Sequence, residues 1–322
     1  MKSSIDDEKF LSVIVPLYNK EMFIAEAIKS VLSQSHENFE LIVVNDGSTD
    51  GSLEVVNSIS DSRIKVLDQN NQGEGKARNS GIAAANSGLV TFLDADDAWF
   101  PDHLETIVML NKKYPEAGLL STRIISSRDA KGSETKLSNK FQLINYFKEA
   151  IECSSIVSSS SSAINLDVVN GEAYFKSYKF AADGECWIRL ASFFPVANAD
   201  KVTAVYNQDV GGVIDNLTAN GAFFKRNISS LLDVSPVLHY SWTEFQRKPD
   251  QYWVGKFAYF NTIKFVRGAL YWGEFNNAKK VCELTSKYSF KLKILSFVLA
   301  HERSFRVVLG VARKIKRLKR FL

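Results

Sequence analysis

Cysteine is scarce in this chain: Cys153, Cys186 and Cys282 are the only three in 322 residues. They lie far apart and form no CxxC pair. That argues against a structural zinc site and a disulfide scaffold, and makes a reducing compartment the expectation. Proline is also thin, at six residues, which leaves no room for a Pro-rich linker. No run of about 18 apolar residues occurs, so no membrane-spanning helix is expected. The opening MKSSIDDEKF carries acids where a secretory leader needs an apolar stretch, so no leader is expected either.

What is present is an ordinary folding composition, 45% apolar and 24% charged. That excludes a wholly disordered or collagen-like chain, and the length suits one large domain or two ordinary ones. The charge is unevenly placed. Residues 301–322 hold eight Arg or Lys against one acid, Glu302. That segment is therefore +7 within a chain of +4, which leaves −3 for residues 1–300. Val308, Val311, Ile315, Leu318 and Leu322 share one helical face, with Arg306, Arg313, Arg317 and Arg320 roughly opposite. Such a basic amphipathic stretch, over 303–322, suits an anionic membrane surface; a terminal helix docked on the body with its basic face solvated is the other reading. Nucleic acid is not expected as a partner, because the slightly acidic body offers no second basic patch.

The first 120 residues alternate strand and helix patterns. Short β-branched runs at Leu11–Val15, Phe39–Val44, Arg63–Leu67 and Leu89–Leu93 are separated by stretches with helical spacing, including 75–85 and a helix beginning at Pro101. This predicts a mostly parallel central sheet flanked by helices, an α/β class. Ligands of such sheets sit beyond the C-terminal strand ends. The unusual polar clusters fall there: Tyr18-Asn19, Asn45-Asp46-Gly47 and Asp94-Ala95-Asp96-Asp97. Residues 122–150 read as a polar, irregular excursion. The serine run 154–162 reads either as a linker or as a strand beside a polar site. A helix is expected at 183–193, a strand at Lys201–Tyr206, and helices from about 219 onward. Twelve aromatics fall between 240 and 275. Val254, Ala258, Phe265, Ala269 and Trp272 keep helical spacing, so the region reads as helix-packing core, with a sugar-stacking platform as the other reading.

Three carboxylates within Asp94–Asp97 repel one another unless a cation balances them. Hard ions such as Mn²⁺ or Mg²⁺ suit oxygen ligands, and take one or two protein carboxylates plus substrate phosphates. A diphosphate ligand is therefore a natural partner; a solvated acidic turn is the plainer alternative.

The combination is more specific than any one cluster. SVIVPLYN at 12–19, VVNDGSTD at 43–50, GEGKARNSGI at 73–82 and FLDADD at 92–97, with Pro101 and Leu104, resemble the family-2 glycosyltransferases of GT-A fold. The likeness continues more weakly through 158–175 and in ADGECWIRLA at 182–191. The resemblance implies a GT-A catalytic domain over 1–210, with a nucleotide-binding half at 1–120 and an acceptor half at 121–210. A helical C-terminal region would follow over 211–322.

The resemblance also implies roles. Pro16 and Tyr18 would pack against the base and ribose, and Asp46 would accept from the uracil N–H. Lys76 and Arg78 would face the phosphates, with surface charge on the 75–85 helix as the alternative. Asp94 would reach the ribose and Asp96 would hold the metal. Asp183 would be the general base of an inverting transfer, with Glu185 its rival. The family's Glu before the catalytic Asp is replaced by Ala182. Where the family often has a His, Tyr206-Asn207-Gln208-Asp209 stands. The implied activity is transfer from a UDP-sugar to a hydroxyl of a glycan or lipid-linked glycan, in the cytoplasm and peripherally on the inner face of the membrane. A non-catalytic sugar-nucleotide-binding protein of the same fold is the alternative.

Overall fold

In the computed structural model the described residues are 9–129, 140–153, 156–176, 182–207, 221–248, 251–289, 291–294 and 296. The basic stretch 303–322 lies outside them. The chain forms two compact units, Met1–Gly211 and Gly212–Leu322.

The first unit is built on one nine-stranded mixed sheet. Its strands are β1 (Leu11–Leu17), β2 (Phe39–Asp46), β3 (Ile64–Gln69), β4 (Leu89–Phe92), β5 (Ala98–Trp99), β6 (Leu119–Ser126), β7 (Phe141–Ile144), β8 (Ser162–Asn165) and β9 (Val196–Tyr206). Their order is β3-β2-β1-β4-β8-β6-β9-β5, with β7 also on β9. β3, β2, β1 and β4 run parallel, as do β6 and β9. β8 is antiparallel to both its neighbours and joins the two parallel groups.

Every residue of β1 is buried, which is why its sequence is a continuous apolar run and does not alternate. One face of β1 and β2 packs on helices α1 (Ile24–Leu32) and α4 (His103–Lys113) through Val13, Val15, Ile24, Ile28 and Ile107. The other face presents Ile42 and Val44 to Ala77 of α3 (Glu74–Ala84). α3 lies close because its sheet-facing residues are small. A Cβ on Gly81 would collide with Ile14 Cγ2 and stand 3.1 Å from Ile14 Cγ1.

Three expectations are corrected. The described residues of 122–150 are not an irregular excursion: β6, β7 and helix Tyr146–Glu152 take up most of them, and 130–139 lie outside the described residues. Polar β6 residues enter the sheet because they find partners; Ser121 receives hydrogen bonds from Asn198 Nδ2, at 2.9 Å to its Oγ. Pro101 does not open a helix, since α4 starts at His103. The described part of the serine run is a 3₁₀ turn, Ser159–Ser161, leading into β8.

The described residues of the second unit are helical, and their longest helices are Pro236–Arg247, Tyr252–Tyr271 and Phe275–Thr285. Its core contains Ala258, Phe265 and Ala269, as their spacing predicts, together with Trp242. Trp272 is partly exposed, at 37%.

Candidate active site

The parallel register brings three loops to one edge. Leu17 pairs with Asn45 and Ile14 with Phe92, so the residues after β1, β2 and β4 emerge together. Tyr18 is exposed there, beside buried Pro16. Asn19 takes a left-handed backbone, φ 50°, a conformation that asparagine tolerates. Its side-chain Oδ1 accepts from Thr49 N at 2.8 Å, and its own N–H donates to Ser48 Oγ at 3.1 Å. These bonds tie the β1 loop to the β2 loop.

Asp46 ends β2 and is buried. Its Oδ1 accepts from Gln69 Nε2 at 2.7 Å and Gln72 N at 2.9 Å, and its Oδ2 from Gly73 N at 2.8 Å. A carboxylate has about four lone-pair sites, so Asp46 keeps an acceptor position on Oδ2.

Arg78 is not a surface cation, being 1% exposed. Its Nη2 donates to Asp94 Oδ1 at 2.6 Å and also to Glu74. Burial disfavours its charge, but Glu74, Asp94 and Asp183 outweigh that and raise its pKa. Lys76, two residues before, is exposed. For Asp94, burial lifts the carboxyl well above the usual range even though Arg78 opposes it.

Asp97 is buried and tied down. Ser160 Oγ donates to its Oδ2, and Asn207 N donates to its Oδ1 at 3.1 Å. Burial pushes its carboxyl up to about 7 against those bonds. Ser160 also accepts from Asp94 N at 3.1 Å, and its carbonyl accepts from Trp99 Nε1 at 2.6 Å. Asp96 faces a second cation, Lys20 Nζ, at 2.5 Å. Neither Lys20 nor Ser160 stood out in the sequence. Lys20 is adjacent to the Tyr18-Asn19 cluster, but nothing there says which carboxylate it meets. Ser160 was one of several serines in a run.

Helix α7 (Ala182–Phe193) carries Asp183 in its first turn, half-buried. Its charge acts on Arg78 and on the buried Tyr146 hydroxyl, so it lies near the Arg78–Asp94 pair. Phe175 is what places α7. It packs edge-on against Phe92 and Trp187, at centroid distances of 5.4 and 5.5 Å. Asn79 holds its backbone from both sides, at 2.7 Å each. Ala182 is buried toward α3; a Cβ on Gly75 would lie 3.5 Å from the Ala182 Cβ. Glu185 is fully buried, with Oε1 paired to Lys176 Nζ at 2.9 Å and Arg189 Nε at 3.3 Å. It is thus engaged by two cations within the fold.

Residues 12–163 match the family model "Glycosyl transferase family 2". Among curated proteins, an uncharacterized glycosyltransferase of Haemophilus influenzae is 37% identical over 139 residues, covering 42% of this chain and 55% of its own length. One from Nostoc is 46% identical over 101 residues, covering 30% and 31%. The chain thus spans a third to about half the length of these relatives. Among solved structures, TarS 1–349 of S. aureus in complex with UDP-GlcNAc superposes with a TM-score of 0.59 at 18% identity, covering 95% of this chain and 92% of that 1–349 fragment. The mannosyltransferase PcManGT of Pyrobaculum calidifontis, in complex with GDP-Man and Mn²⁺, superposes at 0.58 with 17% identity, covering 94% and 80%. Residues 12–163, just under half of the chain, thus match glycosyl transferase family 2, and the chain shares the fold of these solved neighbours.

Proposed function

We propose that this chain transfers a sugar from a nucleoside-diphosphate sugar, a UDP-sugar, to an acceptor hydroxyl with inversion. The observation that carries the reading is the buried Arg78–Asp94 pair, 2.6 Å, at the parallel-strand edge. Helix α7, which carries the base candidate Asp183, packs on α3 through Phe175, held by Asn79 and set against Trp187. Support for the nucleotide comes from the neighbours crystallised with UDP-GlcNAc and UDP. Asp46, with its open acceptor position, takes the uracil N–H, and Tyr18 and Pro16 form the wall for base and ribose.

The donor set fits a divalent ion, Mn²⁺ or Mg²⁺. Asp94 is held by the buried Arg78, and Asp97 by Ser160 and Asn207, while Asp96 is paired through Oδ2 with the partly exposed Lys20, a single ammonium that an ion can replace. Among the described residues no group of three or more His, Cys, Asp or Glu forms a complete cage. One carboxylate suffices where a diphosphate supplies the other oxygens. Asp96 would hold the ion, and the ion would neutralise charge on the leaving diphosphate. Asp183 takes the proton of the acceptor hydroxyl, while Arg78 keeps Asp94 oriented toward the ribose. The acceptor we propose is a glycan or lipid-linked glycan, with the basic 303–322 stretch attracted to an anionic membrane surface. Among the described residues no helix is long and apolar enough to cross a membrane.

The test is release of the nucleoside diphosphate from a panel of UDP- and GDP-sugars with Mn²⁺. A UDP-sugar turned over in preference to GDP-sugars supports the reading. UDP binding without turnover of any donor favours a non-catalytic binding protein of the same fold.

A further inference from the structure

The Lys20 ammonium sits 2.5 Å from Asp96 Oδ2, and the two side chains are only 25% and 16% exposed. The backbone that carries Lys20 is pinned on both sides. Its N–H donates to Ser52 Oγ at 2.8 Å, and its carbonyl accepts from Phe23 N at 2.9 Å and Ile24 N at 3.0 Å, which caps α1. Asn19, immediately before, is locked to the β2 loop. Only the side chain is free to move.

Formal charges make the consequence concrete. Asp94, Asp96 and Asp97 face two resident cations, Arg78 and Lys20. A divalent ion added to that cluster would meet a lysine ammonium already on its carboxylate. A diphosphate brings the negative charge that both cations need.

We propose that Lys20 is a tethered competitor for Asp96: it holds the carboxylate while the site is empty of nucleotide and yields it when the divalent ion arrives with a diphosphate, to which the ammonium then swings. This rests on the proposed function, and adds to it an order of binding. The ion binds weakly alone and tightly with the nucleotide. Because coupling between two ligands is reciprocal, nucleotide affinity rises with the ion by the same factor.

The experiment is a titration with Mn²⁺ alone and with Mn²⁺ plus UDP, followed by electron paramagnetic resonance. The proteins are the full chain, Lys20→Met and Asp96→Asn. Lys20→Met is expected to bind Mn²⁺ alone about tenfold more tightly, with the UDP-dependent gain reduced in proportion. Unchanged or weaker Mn²⁺ binding by folded Lys20→Met, with binding lost in Asp96→Asn, overturns the competitor and leaves the metal assignment standing. Asp96→Asn binding Mn²⁺ as the unmodified chain does overturns the metal assignment itself, and the competitor with it. Acylation footprinting of the unmodified chain gives a second readout that needs no variant to fold. Lys20 labelling is expected to rise at a Mn²⁺ concentration that the titration shows to be saturating, and to fall when UDP is added with the ion; labelling that stays constant through both additions contradicts the proposal.

Discussion

Arg78 reaches from α3 to the end of β4 and donates to Asp94 Oδ1 at 2.6 Å, with its own side chain only 2% exposed. The pair joins α3 to the loop that follows β4. Arg78→Met leaves Asp94 facing Asp96 and Asp97 with its nearest counter-charge gone. Breaking a buried pair costs about 3–5 kcal/mol, and the partial exposure of Asp94 brings the expected loss to about 2–3 kcal/mol in urea unfolding. Adding Asp94→Asn to Arg78→Met recovers part of that loss, which a double-mutant cycle measures. A loss under about 0.5 kcal/mol, the scale of an exposed pair, contradicts the assignment.

Asp183 and Glu185 are separated by their surroundings. Asp183→Asn is expected to lower turnover by about 10²–10⁴-fold with UDP affinity unchanged, the size of a lost general base. Glu185→Gln removes the counter-charge of Lys176 and Arg189, so its effect is on stability. Unfolding curves and kcat measured on both variants separate the roles; the reverse pattern assigns the base to Glu185.

Gly81 lies under α3 against Ile14 of the fully buried β1. In a helix Gly→Ala normally gains up to about 1 kcal/mol. Here the new methyl overlaps a central-strand side chain, and overpacking costs about 1–3 kcal/mol. Gly81→Ala is therefore expected to unfold at lower urea, and a stabilised variant contradicts the close approach.

His103 is buried with its ring stacked on Trp99, centroids 4.0 Å apart, and Nδ1 at 2.7 Å from Thr203 Oγ1. Burial pushes it from 6.5 down to about 3. Between those values the unfolded chain binds a proton that the folded chain does not. Stability is therefore lost as pH falls through that window. The contribution is about 2 kcal/mol between about pH 7 and pH 5, and His103→Gln removes that part of the acid slope. Identical slopes in the two proteins contradict it.

The parallel half of the sheet was legible because β1, β2 and β4 are buried on both faces and so read as continuous apolar runs. The clusters at their ends followed from the topology. β6 was not legible. Its Ser121 and Thr122 are buried, and their hydroxyls pair with Asn198, Thr203 and the Ser161 carbonyl, so Leu119-Leu120 and Ile124-Ile125 are split by a polar stretch and no continuous apolar run or alternation marks the strand. The Lys20–Asp96 pair spans 76 residues and was invisible for the same reason. A charge's partner is set by tertiary placement, which local patterning does not encode. Pro101 was read as a helix start because proline favours the first turn, yet the chain makes another turn first and Asp102 becomes the N-cap.

A crystal structure with UDP and Mn²⁺ tests most directly whether this edge is the donor site. The uracil is expected against Tyr18 with its N–H on Asp46, and the diphosphate and ion at Asp96. Nucleotide density elsewhere on the chain, with Asp46 and Asp96 untouched, contradicts it.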